Sequence, residues 1–226
     1  MTVHDLLPRL PSPAVLRERC RSFAVLDATF QSRYPRHVFD HRWAPDGTSL
    51  ARMDTGGGDL YAIVFAPAGT FLYGFDHESP ATPWRDEPRA HWPGLLDGLP
   101  ESLAHFTREP SFLCEDFFDA TVCAWYEKGD SAWRCGPVDF SDPACADTSD
   151  PDGAEHVFEL LADGSAGAYT EYVSWYFGKE TDEEAVAAIL AGRPLTPELV
   201  AAVNGPADYP AVAAAAAGMG YPVAPA

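Results

Sequence analysis

The sequence predicts an α+β fold, an antiparallel meander sheet of about four to six strands with an N-terminal helix and a helical C-terminal region. Three observations predict it. Residues 13–28 repeat apolar side chains at helical spacing, residues 37–75 switch to short apolar runs broken by tight turns, and beyond residue 153 helix start and stop signals recur. A length of 226 residues fits one domain spanning 1–226, with helix and sheet in 1–140 and a helical part in 153–226 that packs on them or forms a small subdomain. A hydrophobic content of 46% and an aromatic content of 12% are enough for a core, so disorder is excluded for most of the chain.

Ser12-Pro13 supplies an N-cap residue and a proline at the first helical position. Val15, Leu16, Cys20, Phe23 and Ala24 then share one face, leaving Arg17, Glu18, Arg19 and Arg21 on the wet side. His37 to Trp43 alternates, Pro45-Asp46-Gly47 turns, and Leu50 to Asp54 returns. Gly56-Gly57-Gly58 breaks the chain before the apolar run Leu60 to Phe65; Pro67-Ala68-Gly69 turns it again into Thr70 to Phe75. Strands in sequence joined by tight turns imply antiparallel pairing. Residues 76–99 read as a loop rich in Pro, Trp and His, followed by a short helix from Glu101 to Phe106 and a turn near Phe112 to Phe118. Ala120 to Glu127 and Ala132 to Cys135 flank Lys128-Gly129-Asp130-Ser131 as a second hairpin, which extends the first sheet or starts its own.

The rest reads as helices. Asp152 caps residues 154–162, and Ser165 opens a helix carrying Tyr169, Tyr172, Val173, Tyr176 and Phe177 to Gly178. Thr181 with Glu184 reads as a capping box for a helix ending at Gly192. Thr196-Pro197 opens another, stopped by Asn204-Gly205, and an Ala-rich helix runs from about Pro210 to Ala217.

The formal charge of −19 excludes nucleic acid as a partner, because binding a polyanion needs Lys and Arg to displace its counterions. Anionic membrane surfaces are disfavoured for the same reason. The charge is uneven: residues 1–140 hold 20 acids against 13 bases, residues 141–226 hold 14 against 2 (Lys179 and Arg193). The excess reads either as solvated helix faces or as a docking surface for a basic protein partner. The residues of such a surface are Asp150, Asp152, Glu155, Glu159, Glu180, Asp182 and Glu183. No signal peptide and no stretch of about 18 apolar residues is present, so no membrane span is expected. The five cysteines are odd in number and lack a CxxC, which predicts reduced thiols and a cytoplasmic location.

Asp76-His77-Glu78 follows directly on an apolar strand, where site residues collect. With His91 they are the candidate catalytic residues, as general acid and base or as metal ligands. The alternative is an ordinary polar junction with His77 bonded to backbone. His37 and His41 would lie roughly 13 Å apart in a strand, too far to share an ion; stacking of His37, Phe39, His41 and Trp43 on one sheet face is preferred. Thr148 to Glu159 partly matches a calcium loop, through Asp150, Asp152, Gly153 and Glu159, but a turn feeding a capped helix explains the same residues. Cys114 and Cys123 read as structural thiols. No GxSxG, Walker-type, GxGxxG or HExxH motif occurs, and no metal or cofactor is assigned.

The run Gly58-Asp59-Leu60-Tyr61-Ala62-Ile63-Val64-Phe65, followed by Gly69, Phe71 and Asp76-His77-Glu78, resembles the central hairpin of the SUKH superfamily. The resemblance implies an α+β fold and, for many bacterial members, an immunity protein that neutralises a secreted toxin. The richness in Ala, Pro, Asp and Gly with only 2 Lys is associated with high-GC bacterial genomes, and the chain looks like actinobacterial proteins. The function expected is therefore a non-enzymatic acidic binding protein, of immunity type, that docks a basic protein partner. The alternative is a hydrolase or metal-dependent enzyme with its site in the loop after residue 75.

Overall fold

The change of hydrophobic period at residue 37 is where the sheet begins. In the computed structural model, which describes residues 1–30 and 33–225, five strands pair antiparallel in simple sequence order. They are β1 (His37–Asp40), β2 (Ser49–Asp54), β3 (Leu60–Ala66), β4 (Gly69–Phe75) and β5 (Val122–Glu127). The segment 120–127 thus extends the first sheet, while residues 132–135 add one bridge, Trp125 to Arg134, and no strand.

Alternation assigns the two faces. Tyr61 lies opposite Gly74, Ile63 opposite Leu72 and Phe65 opposite Thr70 on one face; Val64 opposite Phe71 and Ala62 opposite Tyr73 form the other. Both faces are covered, which is why β3 and β4 read as nearly continuous apolar runs. The first face packs against helices α2 (Pro13–Thr29), α4 (Ala154–Asp163) and α5 (Ala166–Phe177). Phe158 stacks on Tyr61 at 5.3 Å, and Phe23 lies between His37 and Tyr169. The second face carries no long helix. Helix α3 (Glu101–Ala104) and two 3-10 turns over 105–112 lower Phe106, Phe112 and, further on, Phe118 onto Phe71 and Tyr73. Each fully buried large apolar side chain here stabilises the fold by about 1.5–3 kcal/mol relative to exposure.

The helical remainder closes around α2. The short α1 (Val3–Leu6) lies against α4, while α6 (Glu183–Leu190), α7 (Pro197–Val203) and α8 (Tyr209–Gly218) cover the outer side of α2. Polar ties fix that contact: Ser22 donates to the Ile189 carbonyl at 3.2 Å, and Asn204 to the Thr29 carbonyl at 2.7 Å. Inside it, Asp27 is fully buried and accepts the His37 backbone N–H (2.8 Å), the His37 ring (3.0 Å) and the Tyr169 hydroxyl (2.6 Å). One carboxylate therefore joins α2, β1 and α5. Among the described residues no helix is long and apolar enough to cross a membrane.

Three local expectations are corrected. Strand β1 stops at Asp40, whose carboxylate accepts the Arg42 N–H and turns the chain. His37 and Phe39 face the helices, whereas Trp43 stacks on Phe112 on the opposite side, so the four aromatic residues share no common face. The cap of α6 is Asp182, which accepts the Ala185 N–H at 2.9 Å; Thr181 is held away by donating to the Val203 carbonyl, and the capping box with Glu184 does not form. Helix α4 starts after Gly153 in the left-handed region (φ 74°), and Asp152 contributes one bond, accepting the Ala154 N–H.

Candidate functional site

Because Leu60 pairs with Phe75, the residue before β3 and the residues after β4 must be neighbours. That pairing brings Asp59 to Asp76 and His77. Asp59 Oδ1 lies 2.7 Å from His77 Nδ1 and 3.2 Å from the His77 backbone nitrogen, while Oδ2 lies 3.1 Å from Nε2 of His156, in the first turn of α4. Thr55 fixes Asp59 from the other side, donating its hydroxyl to the Asp59 carbonyl and accepting the Asp59 N–H. The Asp76 carboxylate accepts the Glu78 N–H at 2.9 Å, and the Asp76 N–H donates to Thr121 Oγ1. Gly153 passes so close to Asp76 that no side chain would fit there.

The loop 148–153 forms the opposite wall. Asp150 caps α4 by accepting the N–H groups of Glu155 (3.0 Å) and His156 (2.9 Å), and Ser79 donates to the Pro151 carbonyl at 2.7 Å. Between the walls lies an open cleft of about 570 Å³. Among the described residues five carboxylates line it, Asp59, Asp76, Glu78, Asp147 and Asp150, with two imidazoles and no Lys or Arg. The hydrogen bond that the His77 ring donates to Asp59 raises the His77 pKa above the usual imidazole value, against the opposing effect of burial. Burial alone would raise Asp59; the bonds from His77 and His156 outweigh it and hold that carboxyl below its ordinary value.

The arrangement can do two things chemically. It offers several anionic oxygens to a cationic group, and it can ligate a metal: one ligand atom from each of Asp59, Asp76 and His77 lies within 4.8 Å of the others. On its other side His77 borders a second, mainly apolar cleft of about 510 Å³ with Tyr73, Phe75, Trp84, Phe112 and Leu113.

Of the residues singled out from sequence, Asp76, His77 and Glu78 meet in the acidic cleft, with Glu78 Oε1 3.8 Å from His77 Nε2. His91 does not join them. Its ring is bonded to the Phe118 carbonyl at 2.6 Å and packs on Phe117, where the intervening loop carries it. Asp150 lines the cleft, Glu155 is half-buried, and Glu159, Glu180, Asp182 and Glu183 are exposed. Asp152 leaves the docking surface altogether: at 0% exposure it turns inward and accepts the Val3 N–H at 2.8 Å. Asp150 and Asp152 thus spend their oxygens on backbone N–H groups, which removes the calcium-loop reading. All five cysteines are free, and burial pushes the Cys20 and Cys123 thiols up.

The chain has no significant match among protein-family models, curated proteins or solved structures. The site therefore stands on its own geometry. Three of its residues, Asp59, Asp147 and His156, are not among the candidate site residues that the sequence offers. Asp59 was within reach, since hairpin pairing of β3 with β4 places it beside the Asp76-His77 junction; nothing local signals His156, which arrives from 97 residues away.

Proposed function

We propose that the protein is a non-enzymatic binding protein of the immunity type, and that a lysine or arginine of a basic protein partner enters the acidic cleft. The observation that carries this reading is the cleft lined by Asp59, Asp76, Glu78, Asp147 and Asp150 with no Lys or Arg among the described residues. Its hydroxyls are already engaged: Ser79 donates to Pro151, and Thr148 accepts the Asp150 N–H, which favours binding over nucleophilic chemistry. The SUKH-like run through Asp59 and Asp76-His77-Glu78 supports the same reading. Calorimetric titration with an oligolysine peptide tests it, comparing Asp76→Asn/Glu78→Gln/Asp147→Asn with a control that neutralises Glu180, Asp182 and Glu183. Saturable binding that weakens with salt, and falls about tenfold or more in the cleft variant alone, is expected. Equal losses in both variants mean diffuse charge and overturn the assignment.

The convergence of ligand atoms from Asp59, Asp76 and His77 favours a second reading, a metal-dependent hydrolase using the same loop. Titration with Zn²⁺ and with Mn²⁺ separates the two. Micromolar binding abolished in Asp59→Asn supports the metal; no binding heat from either ion removes this reading and leaves the first untouched.

A further inference from the structure

A different cavity has the opposite character. In a chain with 15 basic side chains and a net charge of −19, three arginines, Arg33, Arg36 and Arg52, line one cavity of about 490 Å³ beside β1 and β2. Tyr34, Tyr61, Tyr73 and Tyr176 line it too, and among the described residues Asp54 is its single carboxylate, with one oxygen already accepting the Gly56 N–H at 2.7 Å. Among the described residues no carboxylate pairs with any of the three arginines, whereas Arg17, Arg21, Arg85, Arg89 and Arg134 all find acids elsewhere.

Arg36 is held in place rather than neutralised. Its guanidinium lies 5.4 Å from the Tyr172 ring, 5.9 Å from Trp175 and 5.2 Å from Tyr176, which fixes its plane without consuming its donors. Among the described residues its Nε is buried with no hydrogen-bond partner. A buried donor left without an acceptor is costly, and an anion entering the cavity removes that cost. Around it, Tyr34 is 74% exposed, Trp175 76% and Tyr176 38%, a wet aromatic surface beside the cations.

We propose that this cavity binds a small phosphate-bearing ligand with a planar ring, the class of nucleoside monophosphates. Guanidinium forks match phosphate oxygens, exposed tyrosine rings stack planar bases, and the volume suits a ligand of that size. The net charge that repels nucleic acid polymers does not exclude it. A mononucleotide sees the local excess of two positive charges, while the distant acids are screened beyond roughly 8 Å at physiological salt.

The test is a titration of the full chain with AMP, GMP and UMP, with adenosine and inorganic phosphate as partial probes, read by calorimetry and by tryptophan fluorescence, since Trp175 borders the site. At least one nucleotide is expected to bind saturably, with both partial probes roughly tenfold weaker or worse. Arg36→Met is expected to lose about tenfold or more. Because Arg36 is stacked, Arg33→Gln/Arg52→Gln, at exposed positions, serves as the variant that keeps the fold, checked by an unchanged melting midpoint. No saturable binding up to millimolar nucleotide, or unchanged binding in the folded double variant, overturns the proposal. Phosphate binding as tightly as the nucleotides overturns the role given to the rings.

Discussion

Asp152 shows how one side chain can serve the fold against its own ionisation. Burial is the largest influence on it and pushes its pKa up to about 6, although the Val3 and Ala154 N–H groups pull the other way. Between the ordinary carboxyl value near 3.8 and about 6 the folded chain holds the proton that the unfolded chain has lost. Its contribution to stability is therefore complete below that window and declines as pH rises through it, by up to roughly 3 kcal/mol. Urea unfolding from pH 4 to 7 should show this decline, and Asp152→Asn should flatten it; an unchanged slope in the variant would contradict the assignment. Asp27 matters through the groups that bond to it. Asp27→Ala strands the His37 ring and the Tyr169 hydroxyl in the core, and a loss of about 3 kcal/mol or more is expected in equilibrium unfolding. Neither role was legible locally. In the sequence Asp27 is a lone acid at the end of an amphipathic helix, and its partners come from 10 and 142 residues away.

The elements divide by how far their determinants reach along the chain. Strands β1 to β4 could be read because each is bounded by Gly, Pro or Asp turns a few residues away, and antiparallel neighbours in sequence are neighbours in space. The helix caps at Ser165 and Thr196 were legible for the same reason. In the layer from 81 to 118 the short helix at Glu101 was legible, but the 3-10 turns were not: they have no period of their own and are shaped by Phe71 and Tyr73 beneath them. Gly74, one residue from the end of β4, marks where a helix approaches. A Cβ there would sit 2.6 Å from Phe158, so Gly74→Ala should force α4 off the sheet and cost about 1–3 kcal/mol. Adding Phe158→Leu should recover part of that loss, and a double mutant no better than Gly74→Ala would show that the clash is not the cause.

For the whole molecule, composition gives the net charge but not where the charges gather. The acidic excess after residue 140 was plain from the sequence, yet the cleft draws Asp59, Asp76 and Glu78 from the sheet and only Asp147 and Asp150 from that region. The arginine-lined cavity was illegible for a related reason, since Arg33, Arg36 and Arg52 are dispersed along the sequence and only the β1–β2 pairing gathers them.

The position of α2 has a consequence for synthesis. The sheet it covers is complete once residue 127 has been made, but the helices over its outer side are not begun until residue 183. A growing chain must therefore carry the sheet and α2 with one flank open, sticky and competent to cluster with its like, until the final segment emerges. A chain cut after residue 180 should bind the dye ANS and accumulate in the pellet, while the full chain does neither; a clear, dye-silent truncation would show that α2 needs no late cover.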